Sequence, residues 1–328
     1  MTHGGNVWQG GRPSDWLDFS ANLRPEGMPE WVKAALSRAA ENARYYPDAA
    51  LQAARRGLAA YAGVSEDKLL PTPGGIAAID LALSLNTGAV LLDDTTFGEY
   101  AARAKAHNRL CAQAKSARCK RGDTRVVCNP NNPTGAALSR EEILHEHRKA
   151  VGSGGELVAD EAFIDYCPEF SVRAHVKEGL TVVGSLTKIL CVPGVRLGYV
   201  CAGAESISRM EKLALPWQIN AFAFEIASEL PEHTDEIKRD ALLNAHRRAE
   251  FAFLLEEMGV QTAPSRANFL LCDFGRDMRP AAEYLKSRRI LVRECGSFGL
   301  GNNFLRLAVR TETENKYLIE ELKKCMRP

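Results

Sequence analysis

Short apolar segments alternate with segments of helical period over the first two thirds of the chain. The apolar segments lie at 89–92, 124–128, 156–159 and 180–184. Continuous apolar runs of this length are typical of strands that are buried on both faces. After the second run, Ser139-Arg140-Glu141-Glu142 forms a capping box that starts a helix. The alternation predicts an α/β fold in which helices cover both faces of a mostly parallel sheet.

Two helices are predicted before this sheet. Positions 29–43 place apolar residues on one helical face, and positions 50–62 repeat that pattern. Residues 1–25 are rich in glycine and polar residues and predict an extended arm. The loop 71–76 leads into a helix that ends near residue 85, and its paired glycines would open that helix. An open helix N-terminus suits a phosphate, although the loop taken alone favours a plain turn.

The pattern changes after about residue 225. A long helix is predicted at 234–258. Three short strands are predicted at 268–274, 290–292 and 304–309, and two further helices at 279–288 and 312–325. We therefore divide the chain into three parts. They are an arm with the first helix that partly joins the small domain (1–44), a large domain (45–225) and a small α+β domain (226–328). A cleft between the two domains is expected to hold the substrate.

Composition narrows the functional classes. The 328 residues include 42 Lys and Arg against 41 Asp and Glu, and no basic stripe suggests a nucleic-acid partner. Nine scattered cysteines without a C-x-x-C motif favour reduced thiols and a cytoplasmic location. No run of 18 apolar residues is present, so we expect neither a membrane span nor export. No metal site is expected.

Lys188 is the first candidate for chemistry. It follows the run 180–184, is flanked by Ser185 and Thr187, and precedes Arg196 by eight residues. An apolar environment lowers the pKa of a lysine and makes its amine nucleophilic. Two hydroxyls and a guanidinium are the donors that a phosphate needs. Together they predict a Schiff-base lysine beside a phosphate site, as pyridoxal 5'-phosphate requires. Taken alone, the pattern also fits a surface lysine after a core strand.

Three further side chains could contact such a cofactor. Asp160 could pair with the protonated pyridine nitrogen, or it could cap a helix or turn. Asn132 could donate to the phenolate oxygen of the ring, or it could form an Asx turn. Phe97 could stack on the ring, or it could pack in the core. Asn132, Asp160 and Lys188 all follow strand ends, where α/β sheets bind ligands, so the three are expected to face one site.

Two arginines suggest anion binding in the second part of the chain. Arg306 lies within the apolar stretch 304–309, where an unpaired guanidinium would be costly, and this favours a bidentate carboxylate clamp. Arg293 follows another apolar stretch and offers a second anion site. A substrate with two anionic groups would use both.

The order of these motifs along the chain is more specific than any one of them. The first motifs are the paired-glycine loop at Gly74-Gly75, Phe97 and the N-P-N-N-P-T-G loop at 129–135. They are followed by D-E-A-F at 160–163, S-x-T-K at 185–188, Arg196 and Arg306. In this order they resemble the fold-type I pyridoxal-phosphate enzymes of the class I/II aminotransferase superfamily. The resemblance covers nearly the whole chain and implies a transferase-like large domain with a smaller α+β domain.

A narrower resemblance is carried by a second set of motifs. They lie at His3-Gly4-Gly5-Asn6, 18–22, 46–48, 160–165, 216–221 and 306–310. These motifs are similar to those of the histidinol-phosphate aminotransferase group and, most closely, of the threonine-phosphate decarboxylases of cobalamin biosynthesis.

The resemblance implies a role for each matching position. Lys188 would hold the cofactor as a Schiff base, with Asp160 on the pyridine nitrogen and Asn132 on the phenolic oxygen. Phe97 would stack on the ring. The cofactor phosphate would be bound by six residues, the last supplied by a partner subunit: Gly75, Ile76, Ser185, Thr187, Arg196 and Tyr46. A homodimer is therefore expected.

The implied substrate is a small phosphorylated amino acid. Arg306 would hold its carboxylate with help from Asn22, and Arg293 would hold its phosphate together with His3. Arg310, which is paired with Arg306 in the motif 306–310, is a further substrate-binding candidate.

Three departures from the family pattern stand out. Phe163 replaces a tyrosine that in many aminotransferases also bonds the phenolic oxygen, which suits the decarboxylase-like branch. Arg24 stands where that branch often has asparagine. Only 32 residues separate Phe97 from Asn129, so a strand–helix piece of the large domain is expected to be trimmed.

Three functional hypotheses follow. The first is decarboxylation of an O-phospho-L-amino acid, threonine phosphate preferred and serine phosphate possible, in cobalamin biosynthesis. The second is an aminotransferase of the histidinol-phosphate type, because the same residues serve both reactions. The third is a catalytically silent module, which only the trimmed segment favours and the complete set of Lys188, Asp160 and Arg196 opposes.

Overall fold

The structure is a computed structural model that describes residues 3–9 and 11–326. The elements up to residue 229 are, in chain order, β1 (Leu17–Asp18), α1 (Glu30–Asn42), α2 (Gln52–Ala62), β2 (Leu69–Thr72), α3 (Gly75–Ser84), β3 (Val90–Leu92), α4 (Glu99–Ala106), β4 (Cys111–Gln113), β5 (Thr124–Cys128), α5 (Arg140–Gly152), β6 (Glu156–Asp160), β7 (Leu180–Ser185), β8 (Gly198–Cys201), α6 (Ala204–Glu211) and α7 (Ala221–Glu229). The later elements are α8 (Thr234–Glu256), β9 (Gln261–Thr262), β10 (Phe269–Asp273), α9 (Arg279–Ser287), β11 (Ile290–Leu291), β12 (Arg293–Glu294), β13 (Phe304–Ala308) and α10 (Glu312–Cys325).

Seven strands form the large sheet, in the order β2-β8-β7-β6-β5-β3-β4. The strands from β7 to β4 run parallel, and β8 is antiparallel to both of its neighbours. The register pairs Asp160 with Cys128 on one side and with Val183 on the other. The carboxyl ends of β5, β6 and β7 therefore lie side by side. The predicted mostly parallel sheet is confirmed.

The sheet is buried on both faces, which explains its continuous apolar runs. On β6, Leu157 and Ala159 pack into a core with residues of α1, α2 and α7, whereas Val158 packs on the other face with residues of α3 and α4. Side chains alternate between the two faces along a strand, so each short apolar run supplies both cores.

The segment 97–129 keeps a helix and a strand despite its short length, because α4 and β4 both lie within it. The hydrophobic pattern does not predict β4, since this three-residue strand lies at the sheet edge and two of its residues are exposed. The buried Arg109 just before β4 donates to the carbonyls of Leu83, Gly88 and Ala89. These bonds tie the strand to the elements beside it.

A smaller unit follows, built on the four-stranded antiparallel sheet β12-β13-β10-β9 with α8, α9 and α10 around it. β1 pairs with β11, and Phe19 lies in the core of this unit. α1, by contrast, packs on α7 in the large unit. The predicted division at residue 225 falls inside α7, a helix that the sequence analysis did not identify.

Two general features concern the part of the chain that the structure describes. None of the helices in residues 3–9 and 11–326 is both long and apolar enough to cross a membrane. All nine cysteines lie within these residues and are free thiols.

The contact between α2 and α7 generates a stability prediction. A Cβ atom on Gly57 would lie 2.0 Å from the carbonyl oxygen of Ala227, so the two helices can approach this closely only with glycine at that position. Gly57→Ala should therefore lower the free energy of unfolding by about 1–3 kcal/mol, measured from urea denaturation midpoints.

Gly152→Ala is the matched control. Gly152 ends α5, and nothing lies within 4 Å of the Cβ position there. This variant should be neutral or more stable by roughly 0.5–1 kcal/mol, because alanine is the better helix former. Equal midpoints for Gly57→Ala and Gly152→Ala would show that the α2–α7 contact tolerates a wider spacing.

Candidate active site

A cavity of about 620 Å³ opens at the carboxyl ends of β5, β6 and β7 and is closed on its other side by the smaller unit. Of the predicted site residues, all but Tyr46 and Arg310 line it. The lining members are His3, Asn22, Gly75, Ile76, Phe97, Asn132, Asp160, Ser185, Thr187, Lys188, Arg196, Arg293 and Arg306. Residues from distant parts of the chain thus lie together at the strand ends.

Lys188 follows directly on the buried strand β7 and its short turn. Burial, together with the nearby charges of Arg306 and Arg196 and against the opposing effect of Asp160, lowers the pKa of this lysine to about 8. A lysine with such a pKa is partly uncharged near neutral pH, and only the uncharged amine is a nucleophile. The environment therefore suits Schiff-base formation.

A cluster of donors lies beside Lys188 at the start of α3. Gly74 has a φ of 87°, and a Cβ atom there would lie 2.5 Å from Arg196 Nη2, so only glycine lets the guanidinium approach the helix start. The hydroxyls of Ser185 and Thr187 are 2.9 Å apart within the same cluster. The open N–H groups of a helix start, two hydroxyls and a guanidinium form a phosphate site by their chemistry.

Asp160 ends β6 and is 4% exposed. Its Oδ1 accepts from the backbone N–H of Ala162 at 2.9 Å, and its Oδ2 accepts from the hydroxyl of Tyr100 at 2.5 Å. Burial raises the pKa of Asp160, while these two donors and Lys188 act in the opposite direction. Tyr100 was not among the predicted site residues. Its only signal in the sequence is its spacing of three residues, about one helical turn, from Phe97.

Arg306 connects the two units across the cavity. Its Nη1 donates to Asn132 Oδ1 at 2.6 Å, and its Nη2 donates to the carbonyl of Ser20 at 2.7 Å. Because the oxygen of the Asn132 amide is occupied, its NH₂ group is the end left to donate into the cavity. Asn22 Oδ1 and Arg306 Nε are buried without a hydrogen-bond partner among the described residues.

Arg293 lies opposite Arg306 in the register of β12 and β13. Burial lowers the pKa of Arg306 to about 10, with the charge of Arg293 as the next cause. Arg293 donates to the hydroxyl of Ser297 at 2.6 Å, and Ser297 also lines the cavity. Two facing guanidinium groups repel each other unless anions lie between them, so this wall is suited to negatively charged groups.

The N-terminal arm forms another wall. Gly5 N–H donates to Ser20 Oγ at 2.8 Å, and a Cβ atom on Gly4 would lie 2.1 Å from the Ser20 carbonyl oxygen. His3 Nε2 lies 2.9 Å from Glu99 Oε1, and the ring of His3 is 6.2 Å from that of Phe97. His3 thus lies at the cavity, but its ion-pair partner is Glu99.

Arg310 does not reach the cavity, contrary to expectation. β13 ends at residue 308, and the chain turns there towards α10, so Arg310 no longer shares the strand face of Arg306. Its guanidinium instead donates to the Asp18 carbonyl at 3.1 Å and to Glu314 at 2.9 Å. These contacts brace the small unit.

Tyr46 also lies outside the cavity of its own chain. It is 79% exposed, and its ring centroid lies 4.6 Å from that of Trp217. Its expected role requires a second copy of the chain and stays a prediction.

Two other predicted features can be placed. Phe163 is buried at the cavity and packs edge-on against Phe269, with ring centroids 5.1 Å apart. Arg24 donates to Asp240 at 2.7 Å, so its charge is paired inside the fold. Among residues 3–9 and 11–326, no group of three or more His, Cys, Asp or Glu side chains could hold a metal ion.

Comparisons with known proteins agree with this geometry. The family model described as "Aminotransferase class I and II" matches residues 14–322. The chain is similar to a threonine-phosphate decarboxylase of Salmonella typhimurium, with 31% identity covering 99% of this chain and 96% of that protein. It is also similar to a histidinol-phosphate aminotransferase of Granulibacter bethesdensis, with 28% identity covering 94% of this chain and 89% of that protein.

A solved structure shares the fold. The histidinol-phosphate aminotransferase from Sinorhizobium meliloti, in complex with pyridoxal-5'-phosphate, aligns with a TM-score of 0.81 at 18% identity and covers 93% of this chain and 89% of that one. The predicted transferase-like fold is confirmed.

Pyridoxal 5'-phosphate is the cofactor of this chain, and the cavity fits it. The donors around Ser185 and Arg196 suit the phosphate, the buried carboxylate of Asp160 suits a protonated ring nitrogen, and Lys188 supplies the amine. A Cβ atom on Gly75 would lie 3.1 Å from Ser185 Cβ and would narrow the phosphate site. Glycine there keeps this space open.

The pKa of Lys188 can be tested in cofactor-free enzyme. Labelling of Lys188 by an amine reagent, followed by mass spectrometry, should rise with pH around a midpoint near 8. Arg306→Met should raise the midpoint, because the positive charge of Arg306 destabilises the ammonium form of Lys188 in the wild-type enzyme and is absent from the variant. Asp160→Asn should lower the midpoint, because the negative charge of Asp160 stabilises the ammonium form in the wild-type enzyme and is absent from the variant.

Lys177→Met provides the control, since Lys177 is exposed. It should leave the midpoint of Lys188 unchanged. A midpoint near the ordinary lysine value of about 10.4 in the wild-type enzyme would contradict the proposed environment.

Proposed function

From the premise that this chain belongs to the class I and II aminotransferase family, we propose that it decarboxylates an O-phospho-L-amino acid. The preferred substrate is L-threonine O-3-phosphate, with L-serine phosphate possible, and the product would be (R)-1-aminopropan-2-yl phosphate in cobalamin biosynthesis. The similarity to the decarboxylase of Salmonella typhimurium, over nearly the full length of both chains, supports this proposal.

One observation carries the proposal beyond the family. Arg293 and Arg306 are paired on adjacent strands and line one cavity. They are present in addition to Arg196, which lies at the cofactor phosphate site. A substrate with a carboxylate and a phosphate would neutralise both. A substrate with a single anionic group would leave one buried guanidinium without a counter-charge, which is costly.

We assign a separate task to each arginine. Arg306, whose buried Nε has no hydrogen-bond partner among the described residues, would bind the carboxylate, and the NH₂ group of Asn22 would donate to it as well. Arg293 would bind the phosphate with Ser297, which it already contacts. His3 would close the phosphate site from the arm if the substrate draws it from Glu99.

The reaction depends on which bond these contacts align. Bound pyridoxal 5'-phosphate serves as an electron sink for a bond held perpendicular to its ring. Arg306 and Arg293 together fix the two ends of the substrate, and thereby choose the bond between Cα and the carboxylate. Lys188, with a pKa near 8, can afterwards return a proton to Cα. The N-terminal arm lines the cavity in which this step would take place.

Transamination is the second candidate. The histidinol-phosphate aminotransferase relative, at 28% identity, is almost as similar as the decarboxylase. If the Cα–H bond is aligned instead, Lys188 would remove that proton as a general base. Phe163 supports the decarboxylase, because it offers no hydroxyl where many aminotransferases have a tyrosine.

We further propose that the enzyme is a cytoplasmic homodimer in which Tyr46 completes the partner's cofactor site. The exposed ring pair of Tyr46 and Trp217 would be covered by the second copy. A monomer in analytical ultracentrifugation would contradict this part.

The proposed reaction is tested by CO₂ release from O-phospho-L-threonine and O-phospho-L-serine by the cofactor-loaded enzyme. We expect release without any keto acid, faster with the threonine derivative. Amine transfer to 2-oxoglutarate without CO₂ release would establish the aminotransferase instead.

Arg293→Met tests the two-anion argument. Loss of a hydrogen bond to a charged group costs about 1.5–3 kcal/mol, so kcat/KM for O-phospho-L-threonine should fall roughly ten-fold to a hundred-fold. Arg279→Met is the control, because Arg279 is exposed on α9 and pairs only with Asp277 among the described residues. An unchanged kcat/KM in Arg293→Met would refute the assignment of the phosphate site.

A further inference from the structure

Tyr100 is a fully buried side chain to which no role has yet been given. It lies in the first turn of α4, its exposed fraction is 0%, and its hydroxyl donates to Asp160 Oδ2 at 2.5 Å. The two residues come from different parts of the sheet, since Tyr100 follows β3 and Asp160 ends β6. The contact between Tyr100 and Asp160, which are 60 residues apart in the chain, therefore depends on the tertiary fold.

The bond completes the surroundings of the Asp160 carboxylate. Its other oxygen accepts from the Ala162 N–H, so each oxygen has one donor from the protein. The buried Cys128 lies beside both side chains, and burial raises the pKa of its thiol so that it stays uncharged. Burial also raises the pKa of Tyr100 well above 10, so its hydroxyl remains a donor.

The segment just before α4 carries the residue expected to stack on the cofactor ring. Phe97 packs edge-on against Tyr100, with ring centroids 5.7 Å apart and an interplanar angle of 86°. Both rings line the cavity. One short segment thus reaches both the face of the ring and the carboxylate at its nitrogen.

We propose that Tyr100 is a positioning residue for the cofactor, whose hydroxyl keeps Asp160 ionised and directed at the ring nitrogen. The inference rests on the proposed role of Asp160. A buried carboxylate without this donor would more readily take up a proton, and a neutral acid cannot pair with the protonated pyridine nitrogen. Tyr100 itself does not contact the reacting atoms; it acts through Asp160.

The chain offers a matched control in a second buried tyrosine–aspartate bond. Tyr61 donates to Asp165 Oδ1 at 2.5 Å, and both residues are buried. Neither residue lines the cavity. Tyr61→Phe and Tyr100→Phe therefore remove the same atom and the same kind of bond, one remote from the cofactor and one beside it.

The experiment measures the Kd of pyridoxamine 5'-phosphate by calorimetry, because this form of the cofactor binds without a covalent bond to Lys188. Tyr100→Phe should raise the Kd roughly ten-fold to a hundred-fold, the range expected for a lost hydrogen bond to a charged group. Tyr61→Phe should leave the Kd within about two-fold of wild type. Equal Kd values for wild type and Tyr100→Phe, or equal increases in both variants, would overturn the proposal.

The Asp160→Asn background tests whether Tyr100 acts through the carboxylate. There, adding Tyr100→Phe should change the Kd by no more than roughly two-fold, because no charge remains to be stabilised. A full effect in that background would overturn the proposal. If a Tyr100 variant does not fold, the nitrogen NMR shift of ring-labelled cofactor bound to wild type and to Asp160→Asn decides. Wild type should show a protonated ring nitrogen and Asp160→Asn should not, and equal shifts would overturn the proposal.

These outcomes separate the inference from the proposed function. Wild-type enzyme that binds no pyridoxamine 5'-phosphate would overturn the site assignment itself. Tight binding by wild type that does not change in Tyr100→Phe would overturn only the role of Tyr100.

Discussion

An excess of positive charge around the cavity at the carboxyl edge of the large sheet is the constraint on which the site depends. Lys188, Arg196, Arg293 and Arg306 line one cavity, where the carboxylates of Asp18 and Asp160 are both already hydrogen-bonded within the protein. Charges removed from water must be compensated. Lowered pKa values for Lys188 and Arg306 are one response of the protein, and binding of phosphates and carboxylates is the other. The phosphorylated cofactor and the doubly anionic substrate that we propose would both compensate this imbalance.

The cavity belongs to both units because single side chains reach across it. Arg306 comes from β13 of the smaller unit, yet it bonds Asn132 after β5 and the Ser20 carbonyl in the N-terminal segment. Ser20 in turn holds the arm through Gly5. A substrate carboxylate at Arg306 would therefore act on an element that already links cofactor site, arm and small sheet.

The strands that carry the site were predictable because their physical signal is strong. β3, β5, β6 and β7 match the predicted runs to within one residue, and Asn132, Asp160 and Lys188 meet as the parallel topology requires. β4 lacked a signal, since it is short, exposed and at the edge. Tyr100 could not be predicted because its partner lies 60 residues away. Arg310 was misplaced because its motif, shared with Arg306, does not reveal where the strand ends. Tyr46 depends on a contact that one chain cannot show.

The most direct test of the central claim is to reduce the cofactor-loaded enzyme with borohydride and map the modified peptide by mass spectrometry. The account predicts one cofactor-derived adduct, on Lys188, and none in Lys188→Ala, whose fold should be kept because this side chain lies at a cavity and not in a core. An adduct on another lysine, or an undiminished adduct in Lys188→Ala, would contradict the assignment of the whole site.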